Sequence, residues 1–218
     1  MTMQYTAKLL SLLALCASFS TVAAAEGVFV GGSLDTHHTK YKNTLCDAED
    51  DCSFSDSRMG VGLKAGYDFD QFRVYGAYQF SPKSKTFEYA ETAGSYKFDY
   101  EESVQSHDLT IGADYTPSFT NNFKGLIGGY VGYSRLKVKA NGQESVAGKI
   151  TKTSESAGTN GVIYGVRLGG IYSFNQNNEL EFGVKAEQAK YKAVEGDDWE
   201  FKEKTTNYGA FVGYNYKF

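Results

Sequence analysis

The chain holds little of what most chemical sites are built from. Among 218 residues there are three Cys, three His, one Trp and two Pro. No Cys-x-x-Cys pair occurs, which excludes a thiol redox motif of that kind. Past the first 25 residues no stretch approaches the roughly 18 apolar residues of a membrane-spanning helix, so that route into a bilayer is closed. Basic charge is not in excess either: 22 Lys and Arg stand against 26 Asp and Glu, a balance that argues against nucleic acid as a partner. What is abundant is 24 Gly, 17 Tyr and 15 Phe. Such usage suits many strands with aromatic girdles around a crowded interior.

The front of the chain reads as a secretory signal peptide over residues 1–25. Lys8 is its only charge, Leu9 to Val22 form a mainly apolar run, and Ala23-Ala24-Ala25 offers a cleavage site before Glu26. Cys16 is preceded by Leu15 where a lipoprotein signal wants a small residue, so lipidation is not expected. One domain of residues 26–218 remains, with charge 21 − 26 = −5 because the signal carries one Lys and no acid. Its two cysteines, Cys46 and Cys52, flank a short polar stretch. In an oxidising compartment they are expected to form a disulfide that stiffens a surface loop.

A period of two runs through the domain, the mark of strands with one apolar and one polar face. Eight such strands are expected. Val28, Val30 and Leu34 share the apolar face of the first, and Met59, Val61, Leu63, Ala65, Tyr67 and Phe69 that of the second. The third sets Phe72, Val74, Tyr78 and Phe80 against Arg73, Tyr75, Ala77 and Gln79. The fourth sets Leu109, Ile111, Ala113 and Tyr115 against Asp108, Thr110, Gly112 and Asp114. In the fifth, Phe123, Ile127, Val131 and Tyr133 are preferred over Leu126, Tyr130 and Leu136. The sixth carries Val162, Tyr164, Val166, Leu168, Tyr172 and Phe174, and the seventh Leu180, Phe182, Val184 and Ala186. The last runs Tyr208, Ala210, Val212, Tyr214, Tyr216, Phe218.

Short turn-rich connections (68–71, 116–122, 175–178) alternate with long polar ones near 37–57, 81–106, 136–161 and 188–204. Within 81–106 the alternation continues through Thr86 to Ala90 and Tyr96 to Tyr100, predicting a projecting hairpin. With eight strands both termini fall at the short-turn end, where Tyr67, Phe69, Phe72, Tyr115, Phe119, Phe123, Tyr172, Phe174 and Phe218 gather as a girdle. The opposite face mixes glycines with Arg58, Lys64, Arg73, Asp108, Asp114, Lys124, Arg167, Glu181, Lys185 and Glu187. An Arg or Lys facing lipid at mid-bilayer costs about 2–4 kcal/mol, so this face must point inward. Eight strands enclose a lumen just wide enough for side chains, and the buried charges are expected to pair across it. A soluble lipocalin-like barrel would instead hold apolar residues inside and carry an early Gly-x-Trp, but the sole Trp is Trp199.

The terminal strand resembles that of bacterial outer-membrane barrels, whose final Phe and alternating aromatics, here Tyr214, Tyr216 and Phe218, serve as an insertion signal. The whole domain resembles the small outer-membrane β-barrel superfamily that includes the OmpA barrel, OmpX and the opacity proteins. That resemblance implies an all-β, eight-stranded, antiparallel up-and-down transmembrane barrel in the outer membrane of a Gram-negative bacterium. It also implies outer-membrane lipid or lipopolysaccharide around the barrel and the barrel-assembly machinery as a partner during biogenesis. A surface protein or host ligand is expected at the loops. Members of the superfamily are mostly adhesins, envelope-stability proteins and immune-interaction proteins. A narrow channel for ions or small solutes is the alternative, and a lipid A-modifying enzyme the third reading.

Catalysis and metal binding find little support in the sequence. His37 and His38 are adjacent, so they point to opposite faces and are expected as loop or rim residues. Ser106, His107 and Asp108 are neighbours along a strand, and their side chains diverge rather than form a triad. Outer-membrane lipid A deacylases carry a His-x-Ser that this chain lacks. The acidic stretch from Cys46 to Cys52 has no regular calcium-loop spacing and is expected to be solvated. No catalytic residue, metal ligand or cofactor is predicted.

Overall fold

The computed structural model describes residues 26–43, 53–93, 96–146, 149–192, 194–196, 199–201 and 203–218. Residues 1–25, and Cys46 and Cys52 with the acidic stretch between them, lie outside the described residues. Among the described residues ten strands follow in chain order. They are β1 Gly27–Asn43, β2 Ser53–Asp68, β3 Phe72–Ala93, β4 Tyr96–Tyr115, β5 Phe123–Val146, β6 Lys149–Ser173, β7 Asn178–Tyr191, β8 Val194–Gly196, β9 Trp199–Phe201 and β10 Glu203–Lys217. Eight of them close into an antiparallel barrel in the cyclic order β1-β10-β7-β6-β5-β4-β3-β2, while β8 and β9 form a separate two-stranded sheet. Every barrel neighbour except the β1–β10 closure is a neighbour in sequence or separated only by that small sheet, the signature of an up-and-down barrel.

The alternation sorts the faces. Leu63, Ile111, Val166 and Val184 all point outward and are 57–69% exposed, and Tyr208, Val212 and Tyr214 on β10, with Phe218 just past it, are outward at 43–51%. On β5, Ile127, Val131 and Tyr133 are outside, whereas Leu126 and Leu136 are buried inside. An exterior this apolar is stable only against lipid.

Short turns close the end that holds both described termini. In the β2–β3 turn Asp70 takes the left-handed conformation (φ 67°), and its backbone N–H donates to the Asp68 carboxylate at 2.9 Å, an Asx turn. In the β6–β7 turn the Asn175 side-chain oxygen accepts the backbone N–H groups of Asn177 and Asn178. Tyr216 and Phe218 meet edge to face at 5.1 Å between ring centroids, and Tyr172 and Phe174 do so at 5.3 Å, building the girdle beside these turns.

The other end differs from a set of long polar loops. The segment 136–161 is strand almost throughout, because β5 and β6 pair continuously from Phe123↔Tyr172 to Val146↔Lys149. Segment 81–106 likewise continues as the β3–β4 hairpin to Ala93↔Tyr96. Residues 37–43, 53–57 and 188–191 also extend strands. At about 3.3 Å per residue, strands of 20–25 residues far exceed the 9–11 needed to cross a bilayer. The surplus projects outward.

The projection is split from the rest of the wall by two seams. β2 and β3 pair only from Asp68↔Arg73 to Val61↔Phe80, and β6 and β7 only from Ser173↔Glu179 to Gly161↔Tyr191. Beyond those rungs β3, β4, β5 and β6 continue as a four-stranded sheet with two lateral edges. Pro82 sits where β3 leaves β2, inside the register shift between Ser81 and Ser84. Within sheets a residue without an N–H is confined to edge strands, strand starts and bulges, and this position combines an edge with a bulge.

Candidate functional site

Inside the barrel the inward residues form stacked tiers of charge. Nearest the short turns, Arg73 on β3 donates to Asp68 (2.7 Å) and to Glu179 on β7 (2.7 Å). β3 and β7 lie four places apart in a ring of eight, so this guanidinium bridges the full width of the lumen. Lys217 completes the tier at 3.2 Å from Asp68 and 3.4 Å from Glu179. Two cations face two carboxylates.

The second tier joins Lys64, Asp114, Arg167 and Glu181, again two of each sign. Arg167 is bidentate to Asp114 and donates to Glu181 at 2.8 Å, while Lys64 meets Glu181 from β2. The Arg167 guanidinium also lies 4.7 Å from the Tyr75 ring centroid and 5.6 Å from that of Phe211. Bidentate ion pairs flanked by aromatic faces suit arginine rather than lysine. Small residues make the space: a Cβ at Gly112 would run into the Tyr75 ring, and one at Gly128 into Asp114.

In the third tier Lys185 lies 3.1 Å from Asp35 and 3.6 Å from Glu187, and donates across the full lumen to Gln79 at 3.1 Å. Tyr130 and Asn207 donate to Glu187 at 2.6 and 2.9 Å. His37 also belongs here, between Asp35 and Glu187 and 5% exposed. It is therefore neither a loop nor a rim residue, because β1 continues past it to Asn43. His38 points outward, toward Ser57, as adjacency on a strand requires.

Of the inward charges singled out in the sequence, Lys64, Arg73, Asp114, Arg167, Glu181, Lys185 and Glu187 sit in these ion pairs. Among the described residues Asp108 has no cation within ion-pair distance. It accepts from the Ser134 hydroxyl, which also contacts Tyr191 Oη at 3.0 Å. Arg58 donates to Thr39 at 3.1 Å, and Lys124 reaches the turn residue Asp70 at 2.9 Å. Asp35, His37, Asp68, Glu179 and Lys217 also belong to the network, and their parity within β1, β2, β7 and β10 is the signal that places them inside.

Two further features lie along the same axis. A cavity of about 70 Å³ between the second and third tiers is lined by Lys64, Tyr75, Gln79, Arg167 and Lys185 among others, room for a few waters. Beyond the third tier Val104, Leu136, Ile163, Ala189 and Tyr191 form a buried apolar cluster with Val138 against it. This stopper was not legible in the alternation, because these residues occupy the phase that lower down carries charge. The lumen is thus filled by three tiers of charged side chains, spanned by the Arg73–Glu179 ion pair and the Lys185–Gln79 hydrogen bond, and capped by hydrocarbon. Among the described residues no group of three or more His, Cys, Asp and Glu is arranged to hold a metal ion.

On the projecting sheet, Tyr96, Phe98 and Tyr100 of β4 are half-buried, and Lys149 to Gly158 of β6 are exposed on both faces. Beside them Asp99, Tyr100, Glu101, Lys139 and Lys152 help to line a shallow depression.

Comparison with solved structures finds matches at low sequence identity. Neisserial surface protein A is 16% identical, with 91% of this chain and 100% of that chain covered and a TM-score of 0.49. Ail, the attachment invasion locus protein of Yersinia pestis, is 19% identical over 86% of this chain and 98% of that one, with a TM-score of 0.43. OprG of Pseudomonas aeruginosa is 14% identical over 88% and 96%, with a TM-score of 0.41. No curated protein sequence matches the chain. Residues 9–218 match the family described as outer membrane protein beta-barrel domain. The chain belongs to that family, an eight-stranded barrel of the Gram-negative outer membrane.

Proposed function

We propose that this is a non-enzymatic surface protein whose closed barrel anchors an interaction sheet outside the cell. The observation that carries the reading is the four-stranded projection β3–β6, whose lateral edges run along β3 beyond Ser81 and along β6 before Asn160. Edge strands present unpaired N–H and C=O groups, and natural proteins avoid long exposed ones unless something pairs with them. The β6 edge, Lys149 to Asn160, is rich in Thr and Ser and has no proline to block added strands. An extended protein segment docking by strand addition is the partner chemistry this edge fits.

The lumen supports anchoring over conduction. Its charges alternate in sign within each tier instead of forming like-signed rings, and two contacts, Arg73 to Glu179 and Lys185 to Gln79, span its diameter. The test has two arms. Excising residues 84–104 and 138–157, with a two-residue turn closing each hairpin, should leave a folded barrel and abolish binding of protein-bearing cells to host cells or matrix. Binding that persists after excision would overturn the interaction sheet. Planar-bilayer recordings of the full chain should show no ohmic steps, and regular steps would overturn the closed anchor.

A further inference from the structure

The outward face changes character abruptly where the apolar belt ends. Tyr78, Tyr133, Tyr164 and Tyr208 mark the upper edge of the belt, each 41–51% exposed. Directly above, the cross-strand rows on the outward face read His107–Arg135–Asn160, then Gln105–Lys137–Gly158, then Ser103–Lys139–Ser156. Lys83 of β3 joins Lys137 and Lys139 around one cavity of about 160 Å³. A second group stands on the other side of the barrel, where Lys190 and Lys204 are direct cross-strand partners and Lys40 is opposite Thr206. Lys190 lies 5.9 Å above the Tyr164 ring.

Three facts make these clusters more than solvated charge. First, the chain is acidic overall, yet among the described residues no carboxylate lies within ion-pair distance of any of these seven cations. Second, like charges directly opposite on a sheet face repel and destabilise the pair, so the Lys190–Lys204 rung needs an anion to offset it. Third, the height is specific. Two residues along a strand tilted about 40° rise roughly 5 Å along the membrane normal, which sets Arg135, Lys137 and Lys139 at about 5–15 Å above the belt edge. That is headgroup depth in the outer leaflet.

We propose that the two clusters hold the phosphates of a phosphorylated outer-leaflet lipid. Lys83, Arg135, Lys137 and Lys139 form one cradle, Lys40, Lys190 and Lys204 the other. The exposed hydroxyl of Ser156 lines the same cavity as Lys139 in the first cradle and supplies a further hydrogen-bond donor, while the buried Ser103 hydroxyl is spent on the Lys139 carbonyl. The acyl chains of the same lipid lie along the exposed face below, against Tyr133, Val131 and Val162. The inference does not depend on what the projecting sheet binds.

The experiment uses the folded full chain in phosphatidylcholine vesicles doped with diphosphorylated lipid A. Retained lipid is counted by native mass spectrometry. The wild-type protein should retain the diphosphorylated lipid and release the same lipid after its phosphates are removed. K137Q/K139Q and K190Q/K204Q should each weaken retention, by about fivefold per lysine removed, in line with the attraction of one cation to an anionic surface. K97Q/K152Q removes two lysines higher on the sheet and should match wild type. Heat-modifiable gel mobility confirms that each variant is folded. Equal retention of the dephosphorylated lipid, or unchanged retention in both lower double variants, overturns the proposal. Saturable binding of inorganic phosphate with no added retention of lipid A would assign the clusters to a free anion and overturn it as well.

Discussion

Arg167 is where the closed lumen is most exposed to a single substitution. Its guanidinium is shared by Asp114 and Glu181, and its faces rest near Tyr75 and Phe211. Replacing it with Met keeps much of the volume but strands Asp114, which is 2% exposed and has no other cation within ion-pair distance among the described residues. Glu181 keeps Lys64. Removing one partner of a buried ion pair costs about 3–5 kcal/mol, because the remaining charge stays desolvated. The double variant R167M/D114N removes both charges and is expected to recover most of that loss, since replacing a whole buried pair is close to neutral. The assay is urea unfolding in phosphatidylcholine vesicles, with the folded fraction read from gel mobility without boiling. A coupling of about 2–3 kcal/mol between the two sites is expected for residues in direct contact. If R167M lost less than about 1 kcal/mol, the tier would be behaving as an exposed pair screened by water, and the plug reasoning would fail.

Further expectations concern the exterior, the stopper, the terminus and the turn. Ile111→Arg places a charge on a residue 69% exposed at mid-belt and should cost about 2–4 kcal/mol in vesicles; a neutral result would mean that this face does not meet lipid. Leu136→Ala should cost about 2–5 kcal/mol by leaving a hole in the apolar cap, yet bilayer recordings should stay silent because the ion-paired tiers lie in series with it. Truncation after Lys217 should slow assembly of the barrel in cells, and normal assembly would remove Phe218 from the insertion signal. The hydrogen bond and charge of Lys124 hold the Asp70 carboxyl below the usual carboxylate range. The stability it adds is present above the unfolded carboxylate pKa and lost as pH falls through the lower folded value. Because Asp70 is about half exposed, Asp70→Asn should change stability at neutral pH by less than about 1 kcal/mol and flatten the acid limb of the pH–stability curve.

How far the sequence could be read depended on which side of a strand carried the contrast. Where lipid faces one side, every second residue must be apolar, and Leu109, Ile111, Ala113 and Tyr115 could be placed without knowing their neighbours. Charges on the opposite phase could be sent inward on energetic grounds alone. Strand β5 resisted because Leu126 and Leu136 are apolar on the inside as well, one packed with Ile171 and Phe211 and the other in the stopper. Beyond the membrane the contrast disappears. Lys149 to Thr159 is polar at almost every position because both faces meet water, so nothing in its own pattern distinguishes strand from loop. Its strand character comes from unbroken pairing with β5, a partner relation that periodicity does not encode. His37 was misplaced for the same reason: the strand was expected to end where its apolar phase ended.

The two ends of the barrel therefore rest on different physics. The membrane-level wall is held by lipid outside and by charge pairs across the lumen inside, so local opening there would expose desolvated ions and break several contacts at once. The projecting sheet has neither support. It is tied down by backbone ladders and by the Val104–Leu136–Ile163 cluster at its base, and above that cluster the described residues of β4 and β5 are mostly half-buried and those of β6 exposed. Its backbone amides should exchange with solvent far faster above Val104 and Val138 than below them. A partner strand added along β3 or β6 would slow that exchange first at the edge it occupies. Hydrogen exchange would thus locate the docking edge directly, and uniform protection along both hairpins without a partner would contradict this division of the barrel.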